Sequence, residues 1–105
     1  MVGQPIEVWI DEDIAELIPG YLERRKEDIA HLADAIQHND FQSIQHIGHS
    51  MKGSGGGYGL PEVSDIGRQL EASAALMDVE KIHISRNQLQ HYVDHLVVYI
   101  KPCER

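Results

Sequence analysis

Four residues within one short stretch have the types and spacing of a group-transfer site. They are His49, Gln45 one helical turn before it, and Lys52 and Gly53 one turn after it. Phe41, Ile44, Gly48, Met51 and Gly55 recur at intervals of three and four, the buried seam of a packed helix. Counting around that helix at about 100° per residue, His49 lies more than roughly 90° from the seam centred on Ile44 and Met51, so its ring faces water. An exposed imidazole is largely uncharged near neutral pH and is nucleophilic. Lys52 can offset the charge of an arriving phosphoryl group. Gly53 puts no side chain in the way of an approaching protein. The set fits a histidine that takes up and hands on a phosphoryl group. On position alone, an ordinary solvated histidine is the simpler reading, and the surrounding sequence has to separate the two.

The elements that must hold this site read as helices. Asp11-Glu12-Asp13 opens a short one, because acidic side chains suit the exposed amides of a helix N-terminus. A second helix is expected from about Pro19 to Gln37, with Leu22, Ile29, Leu32, Ala33 and Ile36 on its buried stripe. Asn39 is the expected N-cap of the histidine helix, with Gln42 at the capping-box position. That helix decays into Gly55-Gly56-Gly57, where Gly59 can take the left-handed turn conformation. Pro61 opens a fourth helix with Val63, Ile66, Gly67, Leu70 and Ala74 inward. The last starts near Val79, buries Ile82, Leu89, Val93, Leu96 and Ile100, and stops at Pro102. No Asn-Gly or Asp-Gly hairpin turn occurs. The expected fold is all-α: an antiparallel up-down four-helix bundle over about 11–101 with a short additional N-terminal helix, preceded by an extended lead-in over 1–9.

Composition narrows the function. The 105 residues make one domain, 1–105. Lys and Arg number 9 against 17 Asp and Glu, a formal charge of −8, which disfavours nucleic acid and anionic membranes as partners. The longest apolar run, Leu96 to Ile100, is far short of a membrane span. No basic start followed by an apolar stretch marks a secretory leader. The single cysteine, Cys103, excludes an internal disulfide; it is expected to lie exposed beyond the last helix. Met1 and the length suggest a free-standing, cytoplasmic protein.

Wider sequence context favours the phosphoryl reading. Gly48-His49-Ser50-Met51-Lys52-Gly53-Ser54, then Gly59-Leu60, then Leu70-Glu71 closely resembles the histidine-containing phosphotransfer (HPt) domain family. The elements stand in the family's order and spacing. Ile14 to Leu17 and the helix from Leu22 to Ile36 are similar to its leading helices, and Asp40 to an acidic residue often found before the histidine. The resemblance implies a four-helix bundle with His49 as the phosphorylated residue and Lys52 and Gly53 beside it. It places Gln45 where the family commonly contacts the phosphoryl group or orients the ring. It implies receiver domains of response regulators, or of a hybrid histidine kinase, as partners. It also implies a monomeric carrier with no cofactor of its own, no kinase or phosphatase activity, and Mg²⁺ supplied by the receiver. Consistent with that, no Walker-type string occurs, and the Gly55-Gly56-Gly57 run follows a helix rather than a strand.

Other features have less specific readings. Seven histidines raise the question of metal, with His91 and His95 four apart and His46 and His49 three apart. Zinc wants three or four converging ligands, and nothing in the spacing forces the pairs together, so no metal site is expected. His31, His38, His83, His91 and His95 read as solvated, and His46 as the rim of the docking face. Arg24-Arg25-Lys26 reads as a solvated face paired with Glu23, Glu27 and Asp28, or else as a patch steering an acidic receiver. Trp9 and Tyr21 read as caps on the bundle end. Two further functions share these residues: a receiver-binding adaptor that passes no phosphoryl group, and a His-rich metal-binding bundle.

Overall fold

A computed structural model describes residues 4–102. In chain order it contains strand β1 (Ile6–Asp11), helix α1 (Glu12–Ala15), α2 (Ile18–Gln37), α3 (Phe41–Ser54), a 3₁₀ turn (Gly56–Tyr58), α4 (Pro61–Ala75), α5 (Val79–His95) and strand β2 (Leu96–Lys101). The four long helices surround a core whose innermost side chains include Leu32, Ile44, Met51, Val63, Leu70, Ile82 and Leu89. Cys103 lies outside the described residues, as do positions 1–3 of the expected lead-in.

The chain is mostly helical but not all-α. β1 and β2 pair in parallel, with Ile6 beside Leu96, Val8 beside Val98 and Ile10 beside Ile100. The lead-in therefore becomes a strand, and the last helix ends at His95 rather than running to Pro102. Leu96 is half-buried and Ile100 is 60% exposed, so neither belongs to a helical core stripe. The physical reason is the run Leu-Val-Val-Tyr-Ile: β-branched and aromatic side chains lose rotamer freedom in a helix and fit a pleated surface. Alternation in β1 is visible once the pairing is known, since Ile6, Val8 and Ile10 turn toward the core and Glu7, Trp9 and Asp11 away.

Two helix starts depend on aspartate. Asp40, not Asn39, caps α3: its Oδ1 accepts from the Ser43 amide at 3.1 Å and its Oδ2 from the Ser43 hydroxyl at 2.6 Å. These bonds from Ser43 hold the Asp40 carboxyl below the ordinary carboxylate range. Asn39 instead makes the turn out of α2 with φ 53°, a left-handed conformation that asparagine tolerates. Asp78 caps α5 in the same manner through the Lys81 amide. Asp40→Ala is expected to lower stability by about 1 kcal/mol, the usual worth of an N-cap, read as a reduced midpoint in urea unfolding with an unchanged slope.

The buried stripe of α2 is Ile18, Tyr21, Arg25, Ile29, Leu32 and Ala35, rotated from the expected one; Ala33 is exposed, and Leu22 and Ile36 are half-buried. The rotation follows from Arg25, a charged residue on the core face. Its guanidinium stacks 4.4 Å over the Tyr21 ring and pairs with Asp28 at 2.8 Å. Burial raises the Asp28 carboxyl, and Arg25 opposes that shift. Tyr21 in turn lies 2.8 Å from the Ser54 hydroxyl and stacks on Tyr58 at 4.2 Å, fastening α2 to the end of α3.

The histidine helix and α4 make the most extensive helix contact in the molecule. Their contacts run in opposite directions along the two helices: Gly55 meets Ser64, while Gly48 meets Gly67, Leu70 and Glu71. Neither Gly48 nor Gly67 has room for a methyl group. A Cβ on Gly67 would lie 2.5 Å from the Lys52 nitrogen and 2.6 Å from the Gly48 carbonyl. This glycine-on-glycine approach brings the two backbones close and sets the residues beside it within side-chain reach of each other.

Candidate functional site

His49 projects from the outer face of α3, one residue past the buried Gly48, and its side chain is 68% exposed. Lys52 follows three positions on, so both stand over the same turn. The close α3–α4 approach brings Glu71 between them. Its Oε2 lies 2.8 Å from His49 Nδ1, and its Oε1 accepts from Lys52 Nζ at 2.7 Å. A single carboxylate thus bridges the histidine and the lysine.

The electrostatics assign the ring's proton. Hydrogen bonds from Lys52, and then from His49, hold the Glu71 carboxyl below the ordinary range, so it is ionised at neutral pH. An ionised carboxylate only accepts hydrogen bonds. Nδ1 must therefore carry the N–H in the neutral ring, and Nε2 keeps its lone pair. Glu71 fixes both the ring's orientation and its tautomer, as carboxylates commonly do for reactive imidazoles.

Gly53, four residues past His49, sits on the same face, and nothing lies within 4 Å of where its Cβ would be. A side chain there would extend into open space beside the imidazole. Gln45 is exposed one turn before His49 and lines an open groove of about 790 Å³ between α2 and α3, together with His31, His46, His49 and Glu71. The ring's hydrogen bond goes to Glu71 rather than to Gln45. Of the residues singled out from sequence, His49, Lys52 and Gly53 thus form one exposed cluster, with Gln45 along the groove beside it.

In the sequence, Glu71 stands only as half of the Leu70-Glu71 pair, with nothing beside it to mark a role. The signal that could have found it is the pair Gly48 and Gly67, each on the buried stripe of its helix. Small residues facing each other set the helices close, and Glu71 is one turn beyond Gly67. The basic run on α2 also resolves: Lys26 pairs with Glu23 at 3.2 Å, Arg24 is exposed, and Arg25 is buried.

Three of the remaining histidines have partners of their own. His38 Nδ1 lies 2.9 Å from the Asp34 carbonyl, and the His91 and His95 rings stack at 4.1 Å. Among the described residues, no three His, Cys, Asp or Glu side chains converge as metal ligands. Trp9 is 60% exposed and stacks on Tyr99 rather than capping the bundle. Among the described residues, no helix is long and apolar enough to cross a membrane.

Neither curated proteins nor solved structures give a significant match to this chain. The sequence profile of the Hpt domain matches residues 16–98, from just past α1 to the middle of β2, and so includes the whole His49–Glu71–Lys52 cluster. A match over most of the chain, on a helical scaffold that holds its exposed histidine outward, shows that this protein belongs to the Hpt domain family, the histidine phosphotransfer modules of phosphorelays.

Proposed function

We propose that His49 is the phosphoryl acceptor, and that the chain takes a phosphoryl group from the phosphoaspartate of one receiver domain and passes it to another. The observation that carries this reading is the Nδ1–Glu71 hydrogen bond, which leaves Nε2 as the free nucleophile on an exposed helix face. Nε2 attacks the phosphorus in line, the N–P bond forms, and the acyl-phosphate P–O bond breaks to release the receiver's carboxylate. Return transfer to a second receiver reverses these bond changes. The Mg²⁺ that offsets phosphate charge in such a complex belongs to the receiver. Positioning and charge stabilisation do most of the work in phosphoryl transfer, and this chain supplies both without turning over a substrate alone.

Lys52 supplies the charge. Its ammonium already sits beside the ring, held by Glu71, and a short swing brings it to the equatorial oxygens. Gln45 lies where a receiver loop or the phosphoryl group would pass, and Gly53 keeps the approach clear. The bundle serves as a rigid, antiparallel up-down support, acting in the cytoplasm. The test is incubation with a phosphorylated receiver: label is expected to move to the chain in an acid-labile, base-stable form, and a chain left unlabelled by every phosphorylated receiver contradicts the reading. Lys52→Ala is expected to slow transfer by about 10- to 100-fold. That is less than the roughly 10²–10³ lost with a preorganised buried donor, because Lys52 is 41% exposed. Its melting curve should stay within a few degrees of the wild type.

A further inference from the structure

The paired terminal strands carry a surface that phosphotransfer does not use. Among the described residues the sheet has two strands, so each has one edge without a strand neighbour. Such edges are templates for another chain and are usually blunted by charge or proline. β1 has these guards: Pro5 precedes it, and Glu7 and Asp11 lie along it. β2 has its guards, Lys101 and Pro102, only at its very end, and the Leu-Val-Val-Tyr-Ile run before them has high strand propensity. Ile100 is 60% exposed although it shares the inward register of the half-buried Leu96 and Val98. It stands at a trough of about 600 Å³ between β2 and the start of α2, floored by Ala15, Ile18, Pro19 and Leu22.

We infer that the β2 edge is a self-association surface, where a second copy of this chain lays its own β2 antiparallel across a two-fold axis. The result is one four-stranded sheet with the β1 strands outermost. A two-fold interface must be self-complementary, and β2 is. Centred on Val98, Val97 faces Tyr99 of the other copy, Leu96 faces Ile100, and Val98 faces itself. Residues opposite each other in an antiparallel pair share a face, so inward side chains stay inward and no like charges meet. The trough rim carries one charge of each sign, Glu23 and Lys26, with side chains 70% and 56% exposed. The two pair with each other at 3.2 Å, so the rim brings no net charge to the contact and can exchange partners across the two-fold axis.

Area and charge set the strength. A specific interface needs ~1,000 Å² or more in total, and one six-residue strand edge with a shallow trough beneath it is a small patch by that measure, so the dimer is weak. Each copy also carries −8, and salt screens that repulsion. Dilute chain at low salt is therefore a monomer, and association grows with concentration and with salt. The inference does not depend on His49.

Sedimentation velocity on the full chain, from micromolar to millimolar at low and high salt, tests it. The weight-average mass is expected to climb toward twice the monomer mass, and further at high salt. Ile100→Lys should abolish the rise with helical circular dichroism unchanged; Val97→Lys reads the same edge should that variant lose its helical signal. Ile84→Lys, an equal change at a 53% exposed position on α5, should associate as the wild type does. A wild type monomeric at millimolar concentration in high salt overturns the inference. So does association that weakens with salt, persists in the Ile100→Lys and Val97→Lys variants, or is lost equally in Ile84→Lys.

Discussion

His49→Gln is expected to take up no label from a phosphorylated receiver that labels the wild type, and to pass none on. Glutamine keeps a polar side chain of similar reach but has no nucleophilic nitrogen. The loss must come from chemistry rather than unfolding, and the structure says that it does. The ring is 68% exposed, and its one bond is to the half-buried Glu71 carboxylate, which keeps its bond to Lys52, so removal costs about 1 kcal/mol. For a domain of this size that is a drop of about 4–8 °C in melting temperature at most. Transfer assays and thermal unfolding on the same preparation check both halves. Label on the variant equal to that on the wild type would place the acceptor elsewhere.

Gly67→Ala is expected to damage both stability and transfer, although Gly67 touches no reacting atom. Its new methyl would meet the Lys52 nitrogen at 2.5 Å, the Gly48 carbonyl at 2.6 Å and the Met51 Cβ at 2.7 Å. The first two are backbone and cannot rotate away, so α3 and α4 must part. Overpacking of this kind costs about 1–3 kcal/mol. Separation also draws Glu71 away from His49 and Lys52, releasing the ring from its fixed tautomer, and transfer slows. Gly53→Ala is the matched contrast. Nothing lies within 4 Å of its Cβ, and a glycine-to-alanine change inside a helix adds about 0.5–1 kcal/mol. That variant should melt higher yet transfer more slowly, because its methyl stands on the face a receiver approaches. Unfolding curves together with transfer rates separate the two roles of glycine here.

Much of this site could be read before any coordinates. The three-and-four spacing from Phe41 to Gly55 fixed the buried side of α3, and with it the outward direction of His49, because periodicity reports a helix's own faces. Pro61, and the stripe from Val63 to Ala74, placed α4 for the same reason. Periodicity is silent on how two helices are set against each other. The reach of Glu71 to His49, 22 residues away, depends on the closeness of two glycines on different helices. Arg25 reads from sequence as part of a solvated face paired with Asp28, because counting apolar residues cannot register a guanidinium that makes that pair while buried against Tyr21. β2 reads as helix from sequence because its partner strand lies at the other end of the chain, and a parallel pairing has no turn to announce it. Asp40 and Asn39 are both good caps by type, and only the bonds to Ser43 decide between them.

The most direct measurement is the position of the phosphoryl group itself. Chain labelled with ¹⁵N in its histidines, phosphorylated by a receiver and followed by ¹⁵N and ³¹P NMR, should show one phosphohistidine. It should be His49, with the phosphorus coupled to Nε2 and the proton retained on Nδ1. Phosphorus on Nδ1, on another of the seven histidines, or on none of them would contradict the account.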